Sequence, residues 1–163
     1  DKKRRHSSLG FSPTNYKEYK MPYIRIWIHL VFSTKNRDKL ISRELKPKLL
    51  SHIRENSEKK EIYIDFINCV DEHCHILISL GASQSISDVA RLIKGESSNW
   101  INKNKLSKIH FAWQEEYIAV SVSESQINRV REYIKNQEEH HRVKTFTEEY
   151  ELFIKKYGFK ILG

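Results

Sequence analysis

NCVDEHCHILISL, residues 68–80, sets two histidines one residue apart at the head of an apolar run. Side chains alternate across a strand, so His73 and His75 share one face while Cys74 points to the other. Ile76, Leu77 and Ile78 are bulky and partly β-branched, which suits a strand buried on both faces. Upstream, EIYIDFINCV (residues 61–70) also reads as a strand, and only Asp71 and Glu72 separate the two, a connection short enough for an antiparallel hairpin. His-x-His on such a strand is either a candidate ligand pair or two ordinary polar residues at a strand entrance.

Working outward, YIRIWIHLVFST (residues 23–34) alternates and then runs apolar, a first strand that ends in a basic loop, TKNRDK. Ser42 can cap a helix to about Asn56, in which Leu45, Leu49 and Ile53 recur at helical spacing. Ser85 with Asp88 opens a second helix toward Asn102, and FAWQEEYIAVSVS (residues 111–123) supplies a fourth, irregular strand. Ser123 with Gln126 opens a third helix expected to end near Glu139, and Thr145 with Glu148 opens a fourth. Strand, helix, strand, strand, helix, strand is a ferredoxin-like or RRM-like α+β plan, an antiparallel sheet with helices on one face and an appended helix.

A chain of 163 residues, 39% hydrophobic and 31% charged, is one domain's worth of soluble protein. No apolar run reaches the ~20 residues of a membrane helix, and no secretory signal is visible, so the expectation is a cytoplasmic protein without membrane association. Cys69 and Cys74, five apart, match neither a disulfide framework nor a zinc ribbon and are expected to be reduced thiols. The formal net charge is +8, but residues 1–20 carry six Lys/Arg against two Asp/Glu. Half of the excess therefore lies in a segment expected to be a flexible basic extension over residues 1–21, which weakens charge as a signature of nucleic acid binding. Its RRHSSLGFSPTNYKEY resembles the C-terminal tail of DDE-type insertion-sequence integrases, implying a mobile-element neighbourhood.

The appended helix carries REYIKNQEEHH (residues 131–141), where Tyr133 and Gln137 stand four apart on one face. His-hydrophobe-His followed by three hydrophobic residues, with Tyr-x-x-x-Gln on a downstream helix, resembles the single-tyrosine HUH transposases of small bacterial insertion sequences and their repeat-associated relatives. HLVFSTKNR, ISDVARLIKGESSNWIN with its Lys-Gly-x-Ser-Ser core, and FAWQEEYIAVSVS are similar to further parts of that family, so the likeness runs from about Met21 to Tyr157. It implies a transposase domain over 22–140 followed by a helical tail over 141–163. It also implies that Tyr133 is the nucleophile, forming a 5′-phosphotyrosine on single-stranded DNA, and that His73, His75 and Gln137 hold a divalent cation, Mg²⁺ or Mn²⁺. No nucleotide cofactor is needed, because the covalent link conserves the phosphodiester energy.

The same likeness implies hairpin-bearing DNA ends as substrate and a homodimer, in which Tyr133 of one chain could complete the partner's site. Lys35, Arg37 and Lys39 after the first strand, and Lys94, Lys103 and Lys105 around the second helix, are the candidate DNA contacts. Trp100 and Trp113 are expected in the core rather than under bases. Two departures stand out. Asp71-Glu72 replaces the family's frequent Pro-Asp and sets a carboxylate beside the first histidine, where it is either solvated or tunes the ion; YGFKILG diverges from the usual family ending. The competing class is a non-catalytic RRM-like nucleic-acid-binding module, but none of the strands matches an RNP motif. A cupin-like metalloenzyme would need many more strands and a Glu soon after the histidine pair.

Overall fold

Alternating apolar residues draw the chain into four strands, β1 (Ile26–Ser33), β2 (Tyr63–Cys69), β3 (His73–Leu80) and β4 (Ile118–Val122). The computed structural model describes residues 23–139 and 145–157; the extension expected over residues 1–21 and the YGFKILG ending beyond Tyr157 lie outside them. The strands form one antiparallel sheet in the order β2-β3-β1-β4. Between them run α1 (Leu45–Lys59) and α2 (Ile86–Lys103), and after β4 come α3 (Ile127–Lys135) and α4 (Phe146–Tyr157). This is the expected α+β plan. Among the described residues no helix is long and apolar enough to cross a membrane.

Register decides which side chains meet. Ser33 pairs with His73 and Val31 with His75, so His29, Val31, Ser33, His73, His75 and Leu77 share one face of the two central strands. The opposite face carries Leu30, Phe32, Cys74, Ile76 and Ile78 into the main core with α1 and α2. Trp113 is buried in that core, and Trp100 packs against it with its ring stacked on His52 at 4.1 Å. On the first face, α3 covers Leu77 through Ile127 and Ile134, and Phe146 and Tyr150 of α4 pack on Val31, Ile118 and Val120. The segment expected to be a C-terminal helical tail thus begins with a helix seated on the sheet.

Caps follow the residue pattern in part. Ser85 Oγ accepts from Asp88 N–H at 3.1 Å, and Thr145 and Glu148 bond reciprocally, Thr145 N–H to Glu148 Oε2 at 2.7 Å and Glu148 N–H to Thr145 Oγ1 at 3.3 Å. Ser123 does not cap: its hydroxyl meets Ser125 Oγ, and residues 124–126 form a tight 3₁₀ turn that replaces the first turn of the expected helix. α3 then breaks at Asn136, its C-cap, and residues 137–139 return to helical geometry, so the helix expected to run to about Glu139 is interrupted rather than continuous.

The expectation of reduced thiols is also corrected, since Cys69 and Cys74 form a disulfide. The two-residue connection sets Val70 against His73, with Val70 N–H donating to His73 O at 2.9 Å, so Cys69 falls opposite Cys74. Closing so short a loop removes little chain entropy, so reduction is expected to cost at most about 2 kcal/mol. Urea denaturation with and without a thiol reductant measures it; a much larger loss would mean that the bond holds the hairpin itself.

Candidate functional site

The face shared by His73 and His75 is where β3, β1, α3 and α4 converge. Both histidines are fully buried, their ring centroids 5.0 Å apart. From α4, Glu149 reaches them with both oxygens, Oε2 lying 3.6 Å from His73 Nε2 and Oε1 3.6 Å from His75 Nε2. One ligand atom from each of the three lies within 4.8 Å of the others. Glu72, also buried, places Oε1 3.7 Å from His73 Nδ1. Glu72 is therefore not solvated.

The electrostatics of this cluster favour a cation. Burial, with the nearby Glu72 carboxylate adding to it, pushes the Glu149 carboxyl up to about 7. Glu149 Oε1 and Gln137 Oε1 are buried and accept no hydrogen bond from any described residue. For Glu149, a buried oxygen with an open lone pair beside two imidazoles is costly as a purely structural device and fits the donor set of a divalent ion.

The second nitrogens are arranged too. His75 Nδ1 lies 3.0 Å from His29 Nε2. Burial lowers His29 to about 4, so it is neutral near pH 7 and its Nε2 can accept. In the tautomer with the proton on His75 Nδ1, that N–H donates to His29 and the His75 Nε2 lone pair faces Glu149, the arrangement a metal ligand requires. Glu72 stands behind the other nitrogen of His73 in the same sense.

Tyr133 projects from α3 onto this cluster, its ring edge-on to His75 at 5.6 Å and to His29 at 6.0 Å. Two contacts fix that helix over β2. A bulge near Asp65 lets its carboxylate take a two-pronged bond from Arg131, at 2.6 and 2.7 Å, and Asn68 Nδ2 donates to Ile134 O at 3.0 Å. Gln137 lies two residues beyond the end of α3, at the start of a helical stretch over 137–139, and is fully buried, its Nε2 donating to Tyr133 O at 3.4 Å. Tyr133 meets the histidines of its own chain.

The six candidate DNA contacts divide. Lys35, Arg37 and Lys39 are exposed on the loop after β1, and Arg37 leans over the Phe146 and Tyr150 rings while donating to Thr147 Oγ1 at 2.6 Å. Lys94 is taken up structurally: its ammonium donates to Glu115 O at 2.7 Å, and burial lowers its pKa. Lys103 and Lys105 are exposed at the C-terminal end of α2, which packs on the face opposite the histidines. Sequence reasoning missed His29, on the same alternation as Val31, and Glu149, beside a recognised cap.

Residues 23–137 match the family model described as "Transposase IS200 like". Among solved structures, a candidate transposase from Deinococcus radiodurans R1 is 20% identical with a TM-score of 0.57, covering 71% of this chain and 93% of its own. A REP-associated tyrosine transposase bound to a REP hairpin is 18% identical with a TM-score of 0.57, covering 76% of this chain and 73% of its own. At such identities these two likenesses establish a shared fold. Comparison with curated proteins finds no match.

Proposed function

The chain belongs to the IS200-like transposase family, and from that premise we propose that it cuts and rejoins single-stranded DNA through a tyrosine-linked intermediate. The observation that carries this reading is the approach of the Tyr133 ring to a buried cluster of His73, His75 and Glu149. Tyr133 Oη attacks a phosphodiester phosphorus, a P–O bond to tyrosine forms, the bond to the 3′-oxygen breaks, and that oxygen leaves as a 3′-hydroxyl. The phenolic proton is released to solvent as the bond forms and the leaving 3′-oxygen takes one up from solvent, so the step is neutral in protons. Attack by a 3′-hydroxyl on the phosphotyrosine reverses the step and rejoins a strand without a nucleotide cofactor.

His73, His75 and Glu149, with Gln137 from the chain just after α3, would hold the divalent cation, Mg²⁺ or Mn²⁺. When bound it supplies polarisation of the phosphate and charge stabilisation of the leaving oxygen. His29 and Glu72 act behind the histidines, orienting the rings. His29→Ala should therefore weaken Mn²⁺ binding about tenfold, with partial recovery in His29→Gln, whose amide oxygen can still accept. Calorimetric titration checks this, and unchanged affinity in the Ala variant would make His29 simple packing.

Hairpin-bearing single strands in the cytoplasm are the substrate this reading favours, supported by the hairpin bound to the structurally similar REP-associated enzyme. An RRM-like module would display aromatic residues on its central strands, but that face here carries His29, Val31, Ser33, His73 and His75 beneath α3 and α4. The decisive experiment mixes the protein with labelled stem-loop strands and Mg²⁺ or Mn²⁺ and looks for an adduct that survives SDS. No adduct with either ion, over a panel of stems and flanks, would sink the proposal.

A homodimer remains part of the reading, with each site built within one chain. Tyr133→Phe mixed with His73→Ala should then recover no adduct, even in verified heterodimers. Recovery would put the tyrosine of one chain in the other's site, and sedimentation of the active species as a monomer would remove the dimer.

A further inference from the structure

Beside Phe146 the sheet face opens into a cavity of about 450 Å³. Its floor includes Val31 and Ile118, and its walls carry Arg37, Gln114, Phe146 and Tyr150. Phe146 joins the two regions: its ring stacks on His73 at 4.2 Å and 27°, and it also lines the cavity. The Arg37 guanidinium lies 5.5 Å from the centroids of both Phe146 and Tyr150.

The loop bearing Arg37 is held in an uncommon shape. Asn36 and Arg37 have φ of 57° and 59°, a region that side chains other than glycine rarely adopt. Thr34 Oγ1 donates to Asp38 O at 2.6 Å, Lys35 N–H to Ala112 O at 2.9 Å, and Asn36 N–H to Gln114 Oε1 at 3.3 Å. Core packing does not demand this, because Asn36 and Arg37 are exposed. Backbone held in a sparse conformation by its surroundings is a sign of a pre-organised site.

We propose that this cavity receives one unpaired base of the DNA strand being cut, the base neighbouring the phosphate that meets Tyr133. The proposal deepens the strand-cleavage reading and rests on it. Unpaired bases are held by stacking on aromatic rings and guanidinium planes, and Tyr150, Phe146 and Arg37 supply both around one space. Asn36 adds an amide able to bond a base edge, while Gln114 is held by Asn36 N–H and by Glu116. Glu116 at the rim argues against a bare phosphate as the occupant: hydrogen bonds from its own main chain and from Gln114 keep its carboxyl charged. Contiguity through Phe146 puts the space beside the ion cluster, where the adjoining nucleotide of a bound strand must go.

The test compares binding of the full chain, with Mn²⁺, to labelled d(A)4, d(C)4, d(G)4 and d(T)4 and to an abasic tetramer with the same phosphates. At least one base-bearing tetramer should bind about fivefold or more tighter than the abasic strand. Tyr150→Ala should bring that ratio to within about twofold of unity while leaving abasic binding unchanged; Tyr150→Phe should preserve it. Asn36→Ala should alter the order among the four bases. Equal binding of base-bearing and abasic strands overturns the proposal, as does an equal loss for both in Tyr150→Ala. None of these readouts needs cleavage. Base preference without any covalent adduct would sink the strand-cleavage reading and keep the pocket, whereas an adduct without base preference would overturn the pocket alone.

Discussion

Tyr133→Phe should abolish the covalent DNA adduct while hairpin binding stays within a few-fold, because the substitution removes one oxygen and keeps the ring that packs against His29 and His75. A phenylalanine ring can still fill the space edge-on to both imidazoles, so the fold and the ion cluster have no reason to change. Loss of a nucleophile is all-or-none for a covalent intermediate, unlike the graded losses expected when a positioning residue is changed. Tryptic mapping of the wild-type adduct gives the independent check. Tyr150, half-buried, and Tyr117 both line the neighbouring cavity and are the alternative phenols to check. A full adduct yield from Tyr133→Phe, or a DNA-linked peptide containing either of those tyrosines, would reassign the nucleophile.

Much of this arrangement was legible before any coordinates. Alternation placed His73 and His75 on one face, the short Asp71-Glu72 connection gave the hairpin, and the Thr145–Glu148 cap gave the start of α4. What escaped depended on register or on the approach of distant elements. Spacing along the chain does not reveal the disulfide, whereas the hairpin register does, because it sets Cys69 opposite Cys74. His29 joins the site only because β1 lies beside β3 in a register that puts its ring within 3.0 Å of His75. Glu149 follows the capping Glu148 by one residue, a rotation of roughly 100° about the helix that turns one carboxylate to solvent and the next to the sheet. Sequence offered no means of knowing that the helix would lie over the histidines. Tyr133 and Gln137 share one face only on an unbroken helix; α3 ends between them, and Gln137 is nevertheless buried.

His73→Ala and His75→Ala should each remove nearly all of the stabilisation that Mn²⁺ gives the wild-type chain. At a hundredfold excess over its dissociation constant, an ion bound only by the folded state adds about 2.7 kcal/mol, or roughly 5–10 °C in melting temperature for a domain of this size. Neither histidine variant retains the imidazole pair, so the shift should shrink to a degree or two, roughly the size of nonspecific binding. Cys74→Ala stands between them in sequence yet points into the opposite core, so it should melt lower without metal but keep the Mn²⁺ response. Glu149→Gln separates the two contributions in the other direction. Without metal it should match or exceed the wild-type stability, because it removes a carboxylate that burial and Glu72 already disfavour in its charged form. With Mn²⁺ it should gain less, because a neutral amide oxygen replaces an anionic donor. An undiminished Mn²⁺ shift in both histidine variants would move the ion away from this cluster. A Glu149→Gln chain that melts well below wild type in chelator would make that carboxylate a structural partner of the imidazoles instead of a donor for the ion.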